Sequence, residues 1–335
     1  MKNLKTKNRN QVKFFDLIKK ELPANLALVE VVADLLGVGT DATYRRIRGD
    51  KPLDFEEIVK LCKHFQISFD SLVGIKSAHQ FDCIYRPINL SIPNEYGNYM
   101  FDLSKSVAKL RTYEDSNIIT SASDIPLFHL VFYKELRFFK LYTWFHSVYG
   151  YDGCLDEFMQ EIETPDIVIC HQKISKDYEL IPSSEIWTEN TINATLGLIS
   201  YYIDICSFSS KDLPLLLCEQ VLDILNKLQR WAENGNKGKI TTPFQLYVSE
   251  MELENTYILM KRASYSNCIL KLFTINSFNV LDREFCAETE HWLTKMMQRS
   301  TLLCSNSEKE RIKFFNSQRQ KVMSLIEKIE FSFEK

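Results

Sequence analysis

Between Phe14 and Phe65 the apolar residues recur at helical spacing in three separate stripes: Phe14, Ile18 and Leu22; Val29, Val32, Ala33 and Leu36; and Phe55, Ile58, Val59, Cys62 and Phe65. Residues three and four apart share a helix face, so each stripe reads as the buried side of a short amphipathic helix. Gly37 and Gly39 break the chain between the second stripe and the third. Thr40 follows as an expected N-cap, its side-chain oxygen accepting from the free amides of the next turn, so a new helix is expected from about Asp41.

In that helix Tyr44 and Ile47, three apart, are expected to face the interior. The opposite face then carries Ala42, Thr43, Arg45, Arg46 and Arg48, and Asp41 lies in the first turn, where its charge suits the helix dipole. Gly49 stops the helix. Asp54 with Glu57 three residues on reads as a capping box for the next helix, and Ser68 as the cap of a last short helix through Leu72. A helix, a tight glycine turn, a helix with an exposed polar face and then supporting helices is the layout of a helix-turn-helix DNA-binding module.

The stretch LVEVVADLLGVGTDATYRRIRGDKPLDFEEIVKLCKHFQISFDSLVG, Leu28 to Gly74, resembles the Xre/Cro-like helix-turn-helix of bacterial repressors, and more closely a variant with a Tyr-Arg-Arg-Ile-Arg-Gly recognition segment. The matching positions are Ala33 and Gly37, Tyr44 and Ile47, and the closing ISFDSLVG. From Ala33 to Tyr44 the spacing is one residue longer than the family pattern, which shifts the contact register or lengthens the turn. The resemblance covers about 60 residues. It implies a recognition helix over about residues 40–48 entering the major groove of double-stranded DNA.

Three arginines on one helix face also suit the solvated side of an ordinary bundle, but here they follow directly on a helix-turn-helix turn. Arginine can bridge guanine O6 and N7, and Thr43 and Ala42 can meet a thymine methyl. Base reading is therefore expected from Thr43 with Arg46 or Arg45, and phosphate contacts from Arg48 and Lys51. Thr40, Asp41 and Ala42 complete the expected DNA-facing set. Residues 1–76 carry 14 Lys and Arg against 10 Asp and Glu, while the rest of the chain carries 27 against 34. Lys5, Lys7 and Arg9 lie in a run of five basic residues before the first acid, Asp16, and read as a basic arm for phosphates, or equally as a solubilising tail.

Beyond Gly74 the residues IKSAHQFDCIYRPINLSIPNEYGN carry two prolines and no helical stripe, so residues 77–97 are expected to be a linker. Residues 98–335 are expected to form a second, mainly helical domain. Helices are expected from Tyr99 with Met100, Leu103, Val107 and Leu110 on one face, over Glu185–Cys206, Leu213–Ala232 and Asp282–Met297, and from Lys309 to the end. The aromatic-rich stretch Asp124–Tyr151 is expected to be core. QLYVSEM, TYILMK and CILKLFTI read as three short antiparallel strands. The last helix carries Phe315, Val322, Ile326, Ile329 and Phe333 near heptad spacing, with Arg319 interrupting the seam, which favours docking onto its own domain over a dimer helix. Ten glycines and nine prolines in 335 residues agree with a mainly α chain: a helix-turn-helix bundle of about five helices, then a larger α-helical body with a small antiparallel sheet.

Nine scattered cysteines without a Cys-x-x-Cys pair read as reduced thiols of a cytoplasmic protein. No signal peptide or membrane span is expected. The glycine-lysine cluster at Gly235–Lys239 lacks Walker spacing, and neither Gly-x-Ser-x-Gly nor His-Glu-x-x-His occurs. The six histidines are dispersed, and the pair Cys170 and His171 is too small for a metal site. No catalytic residue, cofactor or metal is therefore expected.

SASDIPLFHLVFYKELRFFKLY, IPSSEIWTENTIN and STLLCSNSEKERIKFFN resemble segments of bacterial regulators that carry a long helical region behind the same module. The expectation is a DNA-binding transcriptional regulator acting as a homodimer, with a C-terminal domain for dimerisation and for sensing a small-molecule or peptide effector. Two alternatives stay open: a protein-interaction module that uses the helix-turn-helix fold, and an enzyme or toxin-antitoxin component with a DNA-binding head.

Overall fold

The computed structural model describes residues 9–22, 27–65, 67, 69, 81, 83–89, 94–205, 207–238, 241–262, 265–272 and 276–334. The chain divides into two compact units, Met1–Asp82 and Cys83–Lys335. It is mainly helical, 61% with 13 helices among the described residues, and has an eight-stranded mixed sheet in the second unit.

The first unit contains α1 (Arg9–Glu21), α2 (Leu28–Leu36), α3 (Thr40–Ile47) and α4 (Phe55–Phe65). Phe14, Phe15, Ile18, Val32 and Leu61 form its core, with Leu22, Leu36, Ile47 and Phe65 packed around them. The first two stripes lie on the buried faces, whereas on α4 the fully buried residue is Leu61, outside the expected stripe, with Ile58, Val59, Cys62 and Phe65 half-buried and Phe55 largely exposed. Gln11 on α1 holds the loop behind α3: its amide nitrogen donates to the carbonyls of Arg46 and Lys51, both at 2.7 Å, and its oxygen accepts from the Leu53 amide at 3.0 Å. Of the short helix expected from Ser68 to Leu72 only Phe69 is described, and Lys5, Lys7 and the side chain of Arg9 lie outside the described residues.

The second unit begins inside the expected linker, with β1 (Cys83–Arg86). There follow α5 (Glu95–Arg111), β2 (Asn117–Ser121), α6 (Leu127–Leu130), α7 (Lys134–Tyr149), α8 (Leu155–Ile162), α9 (Pro165–Glu179) and β3 (Ser183–Trp187). Next come α10 (Asn193–Asp204), α11 (Asp212–Asn234), β4 (Phe244–Val248), β5 (Tyr257–Arg262), β6 (Tyr265–Lys271), β7 (Ser277–Val280), α12 (Arg283–Arg299), β8 (Thr301–Leu302) and α13 (Glu308–Phe333).

The strands lie in the order β1-β7-β6-β5-β2-β3-β4-β8. β2, β3 and β4 are parallel to one another and the remaining pairs antiparallel. Parallel neighbours need long crossovers, and the helices α6–α9 and α10–α11 supply them. The expected small antiparallel sheet is thereby corrected: the sheet is larger and partly parallel. The segment holding β4 is an expected strand, but β4 pairs with β3 rather than with β5. Glu185, expected to open a helix, lies in the middle of β3.

Alternation along the strands sorts side chains between two cores. Ile118, Ile258, Met260, Ile269, Phe244 and Leu246 face the helical layer of α5–α11 and α13. Ile119, Ile186, Leu259, Cys268 and Val280 face α12, which covers the other side through Cys286 and Leu293. Met100, Leu103, Val107 and Leu110 on α5 are buried as expected, and so are most aromatics of α6 and α7. The last helix packs into its own domain, with Phe315, Val322 and Ile329 fully buried and Arg319 donating to Asn226 on α11 at 3.0 Å. Among the described residues no helix is long and apolar enough to cross a membrane.

Candidate nucleic-acid interface

The turn between α2 and α3 is built as its glycines suggest. Gly37 takes the left-handed conformation, φ 65° and ψ 36°, and ends α2, while the Val38 amide returns to the Ala33 carbonyl at 3.1 Å. This conformation is open to glycine at little cost. Gly39, extended at φ −68° and ψ 159°, is the residue before the first turn of α3. Thr40 is therefore the first helical residue rather than the cap, and the helix begins one residue earlier than expected.

That shift rotates the face. Thr43 is fully buried, its hydroxyl donating to the Gly39 carbonyl at 3.2 Å, and Arg46 is 4% exposed. Tyr44, expected inside, is 51% exposed. Thr40, Asp41, Tyr44, Arg45 and Arg48 now share the solvent face, with Ala42 half-buried and Lys51 exposed beyond the helix end. The expectation that Thr43 and Arg46 read bases is corrected accordingly, because neither side chain is presented to solvent.

Arg46 turns inward because Glu57 receives it. Its Nη2 lies 2.5 Å from Glu57 Oε1 and its Nε 3.0 Å from both carboxylate oxygens, while Nη1 donates to the Ala42 carbonyl at 3.2 Å. The Glu57 hydrogen bond holds the guanidinium pKa above its usual value against the opposing effect of burial. Glu57 also completes the expected capping box. Its carboxylate accepts from the Asp54 amide at 3.2 Å, and Asp54 accepts from the Glu57 amide at 2.8 Å. One carboxylate thus starts α4 and fixes the buried side of α3. Past the helix, Gly49 takes φ 76° and the amides of Asp50 and Lys51 return to the Arg45 carbonyl. Arg48 is loosely paired with Asp50 at 3.3 Å, both side chains well exposed.

The larger unit holds buried polar groups that sequence reading did not bring together. Glu185 is fully buried on β3. His129 Nε2 lies 2.8 and 3.0 Å from its two oxygens, Trp187 Nε1 donates to it at 2.8 Å, and Tyr178 donates its hydroxyl. Burial works to raise the Glu185 pKa, but His129 and the three hydrogen bonds outweigh it and the net direction is down. Lys237, from the glycine-lysine cluster, is buried and donates to the carbonyls of Tyr178 and Ile181 at 2.8 and 2.9 Å. Burial pushes its pKa well below the usual lysine value. Lys237 thus caps the end of α9 by donating to carbonyls there. His129, Glu185, Tyr178 and Lys237 are each at most 2% exposed, so the group is sealed from any substrate. Cys170 and His171 gather no third ligand, and among the described residues no group of three metal-ligating side chains occurs.

Comparison of the chain with protein-family models, with curated proteins and with solved structures gives no match.

Proposed function

We propose that the protein is a sequence-specific DNA-binding transcriptional regulator whose first unit inserts α3 into the major groove. The observation that carries this reading is the solvent face of α3. With Arg46 withdrawn to Glu57, the residues left outside at one-turn spacing are Thr40, Asp41, Tyr44, Arg45 and Arg48. Arg45 supplies the bidentate donor that suits guanine, Tyr44 and Thr40 supply hydroxyls, and Arg48 and Lys51 follow at the helix end for phosphates. The resemblance to Xre/Cro-like repressors supports the same assignment. One such module reads only a few base pairs, so two copies on a palindromic site are proposed, with the second unit serving dimerisation and regulation.

The test is fluorescence anisotropy of the full chain on its own upstream DNA and on scrambled DNA across a salt series, beside the Arg45→Ala/Arg48→Ala double variant. Preference for the native sequence by about a thousandfold, lost in the variant, is the expected result. Equal and steeply salt-dependent binding to both DNAs would reject sequence reading. A face occupied by a partner protein would then be the better reading, one that the exposed Tyr44 and Phe55 also suit.

A further inference from the structure

A hollow of about 160 Å³ lies in the second unit between the end of α5 and the β5–β6 hairpin. Its sheet side is a two-by-two patch: Met260 pairs with Asn267 and Arg262 with Tyr265, so the four side chains rise from one face. The end of α5 contributes Lys109, Leu110 and, just past the helix, Tyr113. Among the described residues no carboxylate lines the hollow. A cavity of about 150 Å³ takes one benzene, so there is room here for a single ring.

The polar groups of this hollow lack protein partners. The Arg262 guanidinium lies 3.8 Å from the centre of the Tyr113 ring and 5.3 Å from that of Tyr265, and among the described residues it makes no hydrogen bond or ion pair. A guanidinium held against aromatic rings keeps its N–H donors for a carboxylate. Lys109, exposed on the α5 side, adds positive charge. Asn267 is 8% exposed, and its amide oxygen is buried with no hydrogen-bond partner, a cost that lasts until a donor reaches it. A hydroxyl both donates and accepts, so it can answer either end of that amide. Arg262 and Asn267 are diagonal neighbours across the strand pair, about 7–8 Å apart at the backbone, a separation that one ring with polar groups at opposite ends can bridge.

We propose that this hollow binds a single-ring aromatic carboxylate with a hydroxyl opposite the carboxylate. Arg262 holds the carboxylate, Leu110 and Met260 flank the ring, and Asn267 meets the hydroxyl. A few polar groups set among apolar walls are the usual build of a small-molecule site. The inference goes beyond DNA binding and is tested without DNA, so it stands or falls apart from the reading of α3.

The test is isothermal titration of the full chain with para-hydroxybenzoate, benzoate, phenol and para-hydroxybenzylamine, and of Arg262→Met and Asn267→Ala variants whose fold is checked by circular dichroism. Expected is saturable binding of one para-hydroxybenzoate per chain, about tenfold tighter than benzoate or phenol, with the amine excluded. Arg262→Met lowers the para-hydroxybenzoate affinity by about tenfold and leaves that of phenol unchanged. Asn267→Ala brings para-hydroxybenzoate down to the level of benzoate, whose own affinity is unchanged. Phenol binding as tightly as para-hydroxybenzoate would overturn the role of Arg262, and benzoate binding as tightly would overturn that of Asn267. Unaltered para-hydroxybenzoate binding in both variants, or none at millimolar concentration, would overturn the site itself.

Discussion

Arg46 on α3 and Glu57 in the first turn of α4 form an ion pair whose side chains are only 5% and 13% exposed. The pair decides which side of α3 faces solvent, since the same guanidinium cannot serve both Glu57 and a base edge. Removing one partner of a buried pair leaves the other uncompensated. Arg46→Ala is therefore expected to destabilise the first unit by about 3 kcal/mol, with Glu57→Gln milder because its amide can still cap α4. Chemical unfolding followed by circular dichroism checks this. A loss of DNA affinity in Arg46→Ala without any loss of stability would contradict it.

Tyr44 offers the complementary experiment. It is half-exposed, and its removal is expected to alter stability by no more than about 0.5 kcal/mol. If its hydroxyl or ring meets DNA, Tyr44→Ala weakens specific binding by about 1–3 kcal/mol and leaves nonspecific binding nearly unchanged. Parallel unfolding and anisotropy measurements separate the two quantities. A strongly destabilised Tyr44→Ala would show instead that the ring belongs to the core.

His171 predicts a pH dependence in the second unit. It is 2% exposed, its Nε2 lies 3.0 Å from the Tyr96 hydroxyl, and its Nδ1 has no partner. Burial, with a contribution from Arg137, lowers its pKa from 6.5 to about 3. Between those values the unfolded chain binds a proton that the folded chain refuses, so stability falls as pH falls below 6.5. At about 1.4 kcal/mol per unit, lowering the pH from 6.5 to 5 is expected to cost about 2 kcal/mol. Over this range the usual carboxylates stay ionised, and the comparison with His171→Gln separates this histidine from the other five. Urea unfolding at both pH values should show this loss in the native chain and its absence in His171→Gln.

Glu185 is expected to be the most sensitive single position of the sheet. Glu185→Gln replaces a charged acceptor of three hydrogen bonds by a group that must also donate, in a fully buried site. A loss of about 3 kcal/mol or more in the second unit is expected, measured by urea unfolding at pH 7. A neutral outcome would mean that the surrounding donors repack around the amide.

The cysteines should separate by burial. Burial raises the thiols of Cys218 and Cys268 to about 12, whereas Cys83 and Cys154 are exposed. A thiol reagent at pH 8 is expected to modify Cys83 and Cys154 in the folded chain and to reach Cys218 and Cys268 only on unfolding. Peptide mapping by mass spectrometry after timed labelling checks the order.

The long helices were legible because their apolar periodicity is strong: α11, α12 and α13 begin and end within about two residues of the expected bounds. β3 was not. Its residues Ser183, Ser184 and Glu185 are all buried in a parallel strand covered on both sides, so no polar and apolar alternation marks it. The placement of β4 was hidden for another reason. Neighbouring strands in sequence are usually expected to pair, and here β2 and β3 lie between β4 and β5. In the candidate interface the ordinary rule inverted an assignment: an aromatic was placed inside and an arginine outside. What reverses it is Glu57, a residue visible in the sequence as a cap but not as a partner of Arg46. The hollow was not legible at all, because Tyr113 meets Arg262 and Asn267 only where the end of α5 packs on the β5–β6 hairpin.

β1 pairs with β7, Cys83 opposite Val280, so an outer strand of the sheet waits for a partner synthesised about two hundred residues later. At ribosomal speeds of about 5–20 residues per second that is an interval of roughly 10–40 s. The described helices of the first unit can close on local contacts well within it. During translation the nascent chain therefore carries a finished head followed by an unsatisfied backbone edge, the kind of surface that chaperones shield and that aggregates recruit.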